Sequence, residues 1–217
     1  MRYGVPMQTD REAREQIVQI TNELFQGGHL TSTGGNISAT ASDGETLWIT
    51  PSGLYKGGVR EADLVHIRPD GSVIEGGNKP SIEFRMHFAS YAARPGSTGA
   101  VHTHSPIATA FGICNQKFEP INTDAIALSD TVTVPWFMPG SEELAENVGR
   151  AIEQSRGCIL QNHGLMAVGD DLRKAATRAA MIEETAKLML YIKQFGGSVT
   201  YLPDEWVTKL EPIKDFL

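Results

Sequence analysis

Apolar residues at Ile17, Ile20, Leu24 and Phe25 recur at the three- and four-residue spacing of one helical face. They predict an amphipathic helix from Arg11 to Phe25, capped by Asp10 and ended by Gly27-Gly28. Short apolar runs bounded by turn residues follow. Leu47 to Thr50, closed by Pro51-Ser52-Gly53, and Leu64 to Ile67, closed by Pro69-Asp70-Gly71, predict strands. Residues 82–94 predict a helix capped by Ser81 and stopped by Pro95-Gly96. That places Glu83 in a first turn, where the helix dipole stabilises a carboxylate. Further helices are expected over Ile107 to Cys114, from Ser141 as cap to about Glu153, and from Asp170-Asp171-Leu172 to Phe195. Thr131 to Pro135 is a short β-like run. The tail from Val199 to Leu217 carries Tyr201, Trp206 and Phe216 and is expected to pack on the body of the protein. Strands and helices mix without strict βαβ alternation, and there is no internal repeat.

Composition narrows this picture. A chain of 217 residues with 41% hydrophobic and 21% charged residues is ordinary globular material, and one domain over residues 1–217, with a tail from about 198, is the simplest expectation. A net charge of -7 argues against nucleic acid as partner, which would need a basic face, but not against a small anionic substrate held by local donors. Two cysteines without C-x-x-C spacing, no signal-like start and no apolar run near about eighteen residues point to a cytoplasmic chain without a membrane span.

The candidate chemistry is concentrated in Ala100-Val101-His102-Thr103-His104-Ser105. Two histidines two apart on an extended strand face the same way, so both imidazoles reach one ion. A catalytic zinc needs about three protein ligands and one open position. The third candidate is His163, which a second apolar run, Gly157 to Leu160, delivers into the Asn162-His163-Gly164 turn. The structural alternative is that each histidine is a satisfied core or surface residue. Thr31 to Ser38, with Gly34-Gly35-Asn36, reads either as an anion cradle of converging N–H groups or as a connecting loop. His66, alone among aliphatics, reads as structural.

In order, Thr33-Gly34-Gly35-Asn36-Ile37-Ser38, Thr50-Pro51-Ser52-Gly53, Lys79-Pro80-Ser81-Ile82-Glu83, His102-Thr103-His104 and Asn162-His163-Gly164 resemble the class II aldolase/adducin family, from about residue 10 to 195. The resemblance implies an α/β three-layer sandwich, with a largely antiparallel central sheet flanked by helices. It implies a homotetramer with the active site at a subunit interface. It implies zinc on His102, His104 and His163, Glu83 as acid/base resting near the metal, and substrate phosphate on Asn36, Ser52, Gly53 and Ser81. The leading expectation is a zinc-dependent lyase that cleaves a small ketose phosphate by retro-aldol chemistry, through an enediolate, to dihydroxyacetone phosphate and an aldehyde. The alternatives are a 3-oxo-tetronate 4-phosphate decarboxylase-like enzyme and a non-catalytic adducin-like interaction module. Two departures stand out: Ile82 replaces a second serine of many relatives, and residues 118–129 lack the tyrosine that aldolases use as proton donor. Either Asn122, Thr123 or Asp124 substitutes for it, or the reaction differs.

Overall fold

The computed structural model describes residues 8–215. In chain order its elements are α1 (Asp10–Gln26), β1 (Asn36–Thr40), β2 (Leu47–Ile49), β3 (Val65–Ile67), β4 (Val73–Glu75), α2 (Phe84–Ala93), β5 (Gly99–Thr103) and α3 (Pro106–Ile113). There follow α4 (Thr123–Ala127), β6 (Val132–Val134), α5 (Glu142–Gln154), β7 (Gly157–Leu160), β8 (Gly164–Gly169), α6 (Leu172–Phe195) and α7 (Asp204–Leu210). The strands form one eight-stranded sheet in the order β4-β3-β2-β1-β5-β8-β7-β6. Every neighbouring pair is antiparallel except β6 and β7, which are parallel and joined through α5, the crossover that a parallel pair requires.

Period-two alternation gives the sheet two apolar faces. Val101, Leu165 and Ala167 face α1 and α6, where Ile17, Ile20 and Ile182 cover them. Ala100, Met166 and Val168 face α2 and α5, where Met86, Val148 and Ile152 do so. Each such aliphatic side chain contributes about 1.5–3 kcal/mol by leaving water. The result is the expected sandwich of helices around a mostly antiparallel sheet. One consequence matters for the chemistry: His102 shares the face of Ala100, so it points toward α2.

Local details differ from expectation. Thr9, not Asp10, caps α1, because its hydroxyl and the Glu12 carboxylate form a reciprocal capping box. Asp10 instead accepts the Ser42 N–H at 2.7 Å. Helix α2 begins at Phe84, so Glu83 occupies the cap position instead of the first turn, and Ser81 accepts the Glu83 N–H at 3.3 Å one turn earlier. His66 is structural as read: it stacks on Trp48 and bonds Thr46. The tail does pack. Leu202 N–H donates to Pro120 O at 2.9 Å and Tyr201 to Glu119 at 2.7 Å, although Tyr201 and Trp206 stay nearly half exposed. Phe216 lies outside the described residues. Among the described residues no helix is long and apolar enough to cross a membrane.

Candidate metal centre

Three backbone features bring the histidines together. Strand β5 carries His102 between β1 and β8, opposite Asn36 on one side and Met166 on the other. His104 follows just past the end of that strand. His163 sits in the tight β7–β8 turn, where Asn162 adopts a left-handed φ of 59° and the His163 N–H bonds Leu160 O at 3.0 Å. Asparagine tolerates that region better than most residues. Gly164 is required by approach: a Cβ there would stand 2.1 Å from Thr103 O. The Asn-His-Gly triplet is therefore a backbone specification that aims one imidazole at the end of β5. Gly34 does the same for the loop before β1, since its Cβ would fall 2.4 Å from His104 Nδ1.

Glu83 closes the group from the start of α2. The donor atoms of Glu83, His102, His104 and His163 all lie within 4.8 Å of one another. His102 Nε2 is 3.1 Å from His104 Nε2 and 3.3 Å from Glu83 Oε2, while His163 Nε2 is 3.2 Å from Glu83 Oε1. Four donors about 2.0–2.1 Å from one tetrahedral ion would stand roughly 3.3 Å apart. The spacing is that of a coordination shell. His102 Nδ1 donates to Leu165 O at 2.8 Å, which leaves Nε2 bare and aimed inward. Glu83 Oε1 and His163 Nδ1 are buried without a hydrogen bond of good geometry. An unsatisfied buried carboxylate oxygen is costly unless a cation meets it. The residues thus fit a divalent metal of the zinc type.

The electrostatics agree. Burial pushes the Glu83 carboxyl up, but the neighbouring His102 and His163 more than reverse this and hold it well below the usual carboxylate range. Burial, then the neighbouring imidazoles of His102 and His163, lower His104 to about 3. Both groups are in the forms that ligate: carboxylate and neutral imidazole.

Of the expected anion-binding residues, Asn36 and Ser81 bond Glu83 directly, and Ser52 and Gly53 lie on a neighbouring turn. The bridge between Pro51 and Pro80 and the bond from Ser52 N–H to Lys79 O set the exposed Ser52-Gly53 turn beside buried Ser81. Asn36 is buried, and its side chain is already engaged: Nδ2 donates to Glu83 Oε2 at 2.8 Å and Oδ1 accepts from His87. Sequence reading missed this bond, and it missed Lys56, a buried lysine whose ammonium donates to Pro51 O at 3.2 Å and is lowered by burial to about 8. Neither belongs to a local pattern. Of the suggested tyrosine substitutes, Asn122 is committed as the cap of α4, accepting from Ala125 N–H at 2.8 Å, while Thr123 and Asp124 are exposed.

Comparison with known proteins is consistent with this geometry. The family described as Class II Aldolase and Adducin N-terminal domain matches residues 15–190. An L-fuculose phosphate aldolase of Methanococcus maripaludis is 34% identical over 174 residues, covering 80% of this chain and 93% of that protein. A 3-oxo-tetronate 4-phosphate decarboxylase of Haemophilus influenzae is 30% identical over 210 residues, covering 94% and 98%. A solved L-fuculose 1-phosphate aldolase superposes with a TM-score of 0.84 at 28% identity, covering 98% of this chain and 100% of that one. The chain belongs to the class II aldolase and adducin family, as a lyase of the class II aldolase type.

Proposed function

We propose that the protein is a zinc-dependent lyase that cleaves a small ketose phosphate by retro-aldol chemistry, giving dihydroxyacetone phosphate and an aldehyde. The observation that carries this reading is the cluster of four donors, Glu83, His102, His104 and His163, all within 4.8 Å of one another. Zinc, when bound there, would supply a Lewis acid for the negative charge that develops on the substrate's oxygens. His102, His104 and His163 hold the metal. Glu83 moves the proton on substrate carbon: its Oε1 makes no well-formed hydrogen bond and lies 3.2 Å from His163 Nε2, at the metal centre. Asn36, Ser52, Gly53 and Ser81 hold the phosphate: the serine hydroxyls and the Gly53 N–H are the donors, and Asn36 at the start of β1 stands where its amide meets Glu83. The family tetramer, with the site at a subunit interface, completes the reading.

One observation favours a second reaction on the same site. Retro-aldol cleavage needs a group to take the proton from the hydroxyl that becomes the aldehyde, and residues 118–129 contain no tyrosine. Decarboxylation of a 3-oxo sugar-acid phosphate needs no such group, and the decarboxylase relative aligns along 94% of this chain. The deciding experiment incubates zinc-loaded protein with ketose phosphates and 3-oxo sugar-acid phosphates while monitoring dihydroxyacetone phosphate and carbon dioxide together. Dihydroxyacetone phosphate from a ketose phosphate supports the first reading. Carbon dioxide release alone supports the second, and neither product from any substrate overturns both.

A further inference from the structure

From Glu83 Oε2 a buried row of hydrogen bonds runs through Asn36 to His87, Ser38 and Tyr91, and metal and phosphate binding leave the last three without a purpose. Tyr91 O–H donates to Ser38 O at 3.0 Å and lies 2.9 Å from Ser38 Oγ, Ser38 Oγ lies 2.7 Å from His87 Nδ1, His87 Nε2 meets Asn36 Oδ1, and Asn36 Nδ2 meets Glu83 Oε2 at 2.8 Å. Ser38 and His87 are fully buried, and Asn36 is nearly so.

Proton bookkeeping gives this row one direction. The ionised carboxylate only accepts, so Asn36 presents Nδ2 to it and Oδ1 to His87. Oδ1 only accepts, so His87 carries its proton on Nε2. Nδ1 is then bare, and the Ser38 hydroxyl donates to it. The amide of asparagine is nearly the same shape when turned by 180°, so sterics do not choose its orientation. The turned amide would set Oδ1 against the carboxylate. The carboxylate opposes that orientation from one side, and the Nε2–H of His87 opposes it from the other.

We infer that His87 is a positioning residue for Glu83: by fixing the Asn36 amide it holds the carboxylate at the metal centre. A merely structural role would end with both His87 nitrogens satisfied, whereas this row terminates on a carboxylate oxygen 3.3 Å from His102 Nε2. The inference rests on the proposed metal centre.

The test reads the metal and needs no substrate. Cobalt(II) is loaded in place of zinc, and visible absorption reports its ligand set. Zinc affinity is measured by competition with a chelator, and thermal unfolding monitors the fold. Glu83→Ala defines the spectrum without the carboxylate. His87→Leu is expected to shift the cobalt spectrum toward that of Glu83→Ala and to weaken zinc about tenfold or more, the usual effect of losing an outer partner. His87→Gln, which keeps one donor and one acceptor, is expected to restore the parental spectrum. If His87→Leu does not fold, His87→Met, which also fills the site without a ring donor, carries the test, and the same spectral shift is expected. A folded His87→Leu or His87→Met with parental spectrum and affinity overturns the inference, as does failure of His87→Gln to rescue. A Glu83→Ala protein with the parental spectrum shows that the carboxylate does not touch the metal and overturns the inference, whereas failure of the parental protein to bind cobalt or zinc overturns the metal-centre reading itself.

Discussion

Glu83 is buried, lies against two imidazoles and takes an amide N–H from Asn36, yet one of its oxygens has no hydrogen bond. A group held that way is set up to exchange one partner for another. Glu83→Gln keeps the shape and removes the base, so kcat in the zinc-loaded protein is expected to fall about a hundredfold or more, the usual scale for acid/base catalysis. The fold is expected to persist, because the Glu83 side chain makes no capping bond to α2. Turnover of the true substrate at the parental rate would make Glu83 an ordinary helix-start acid. The ligand assignment has its own check: His104→Ala removes one of three imidazoles, and elemental analysis returning one zinc per chain would contradict it. For the anion, Ser52 is exposed and its side chain makes no hydrogen bond among the described residues, so Ser52→Ala tests binding without disturbing packing. An approximately tenfold rise in KM for a phosphorylated substrate is expected, from the loss of a hydrogen bond to a charged group worth about 1.5 kcal/mol. An unchanged KM excludes Ser52 from the phosphate site.

The turn between β7 and β8 depends on Gly164, whose missing side chain lets β8 pass against Thr103 O of β5. Gly164→Ala must push the two strands apart, and the obstacle is backbone that cannot rotate away. Overpacking of this kind costs about 1–3 kcal/mol, and more where the neighbour is rigid. A lower denaturant midpoint is expected, together with loss of zinc stoichiometry because His163 moves with the turn, and an unchanged midpoint would contradict the close-approach argument. The elements that sequence patterning located, such as α1, α5, α6, β2 and β3, are those with a buried stripe or a buried run. Strand β4 went unseen because all three of its residues are exposed, and α4 and α7 because five and seven residues carry too little period to register. The same limit governs the site. His102 and His104 are legible because their two-residue spacing is itself the geometry, and the Asn162-His163-Gly164 triplet because each residue answers a local backbone demand. The bonds from Asn36 to Glu83 and His87 join residues 47 and 51 apart in sequence, where no local spacing records them.

Taken as a whole, the molecule places a carboxylate and four imidazoles in its interior around one end of β5, and this sets how its stability responds to protons and metal. His87 is fully buried, and burial lowers it to about 3 from the ordinary 6.5. Between those values the unfolded chain binds a proton that the folded chain does not, so folding stability rises with pH through that window and is lost as pH falls. The slope is about 1.4 kcal/mol per pH unit for one such proton. Glu83, held below its ordinary 4.5, acts in the same direction once pH drops under that value, since its contribution is present above it. Zinc steepens the response, because protons compete with the metal for His102, His104 and His163. The expected outcome is a melting temperature that begins to decline near pH 6.5, above the carboxylate range, with a larger decline for zinc-loaded protein than for protein held in chelator. At pH 7.5, removing zinc alone should lower the melting temperature, since an ion bound only by the folded chain adds its binding free energy to stability. Thermal unfolding followed from pH 8 to pH 4, with zinc and with chelator, checks both parts. A melting temperature flat from pH 7 to pH 5 would mean that His87 is not held neutral, and coincident curves with and without zinc would mean that the cluster does not bind it.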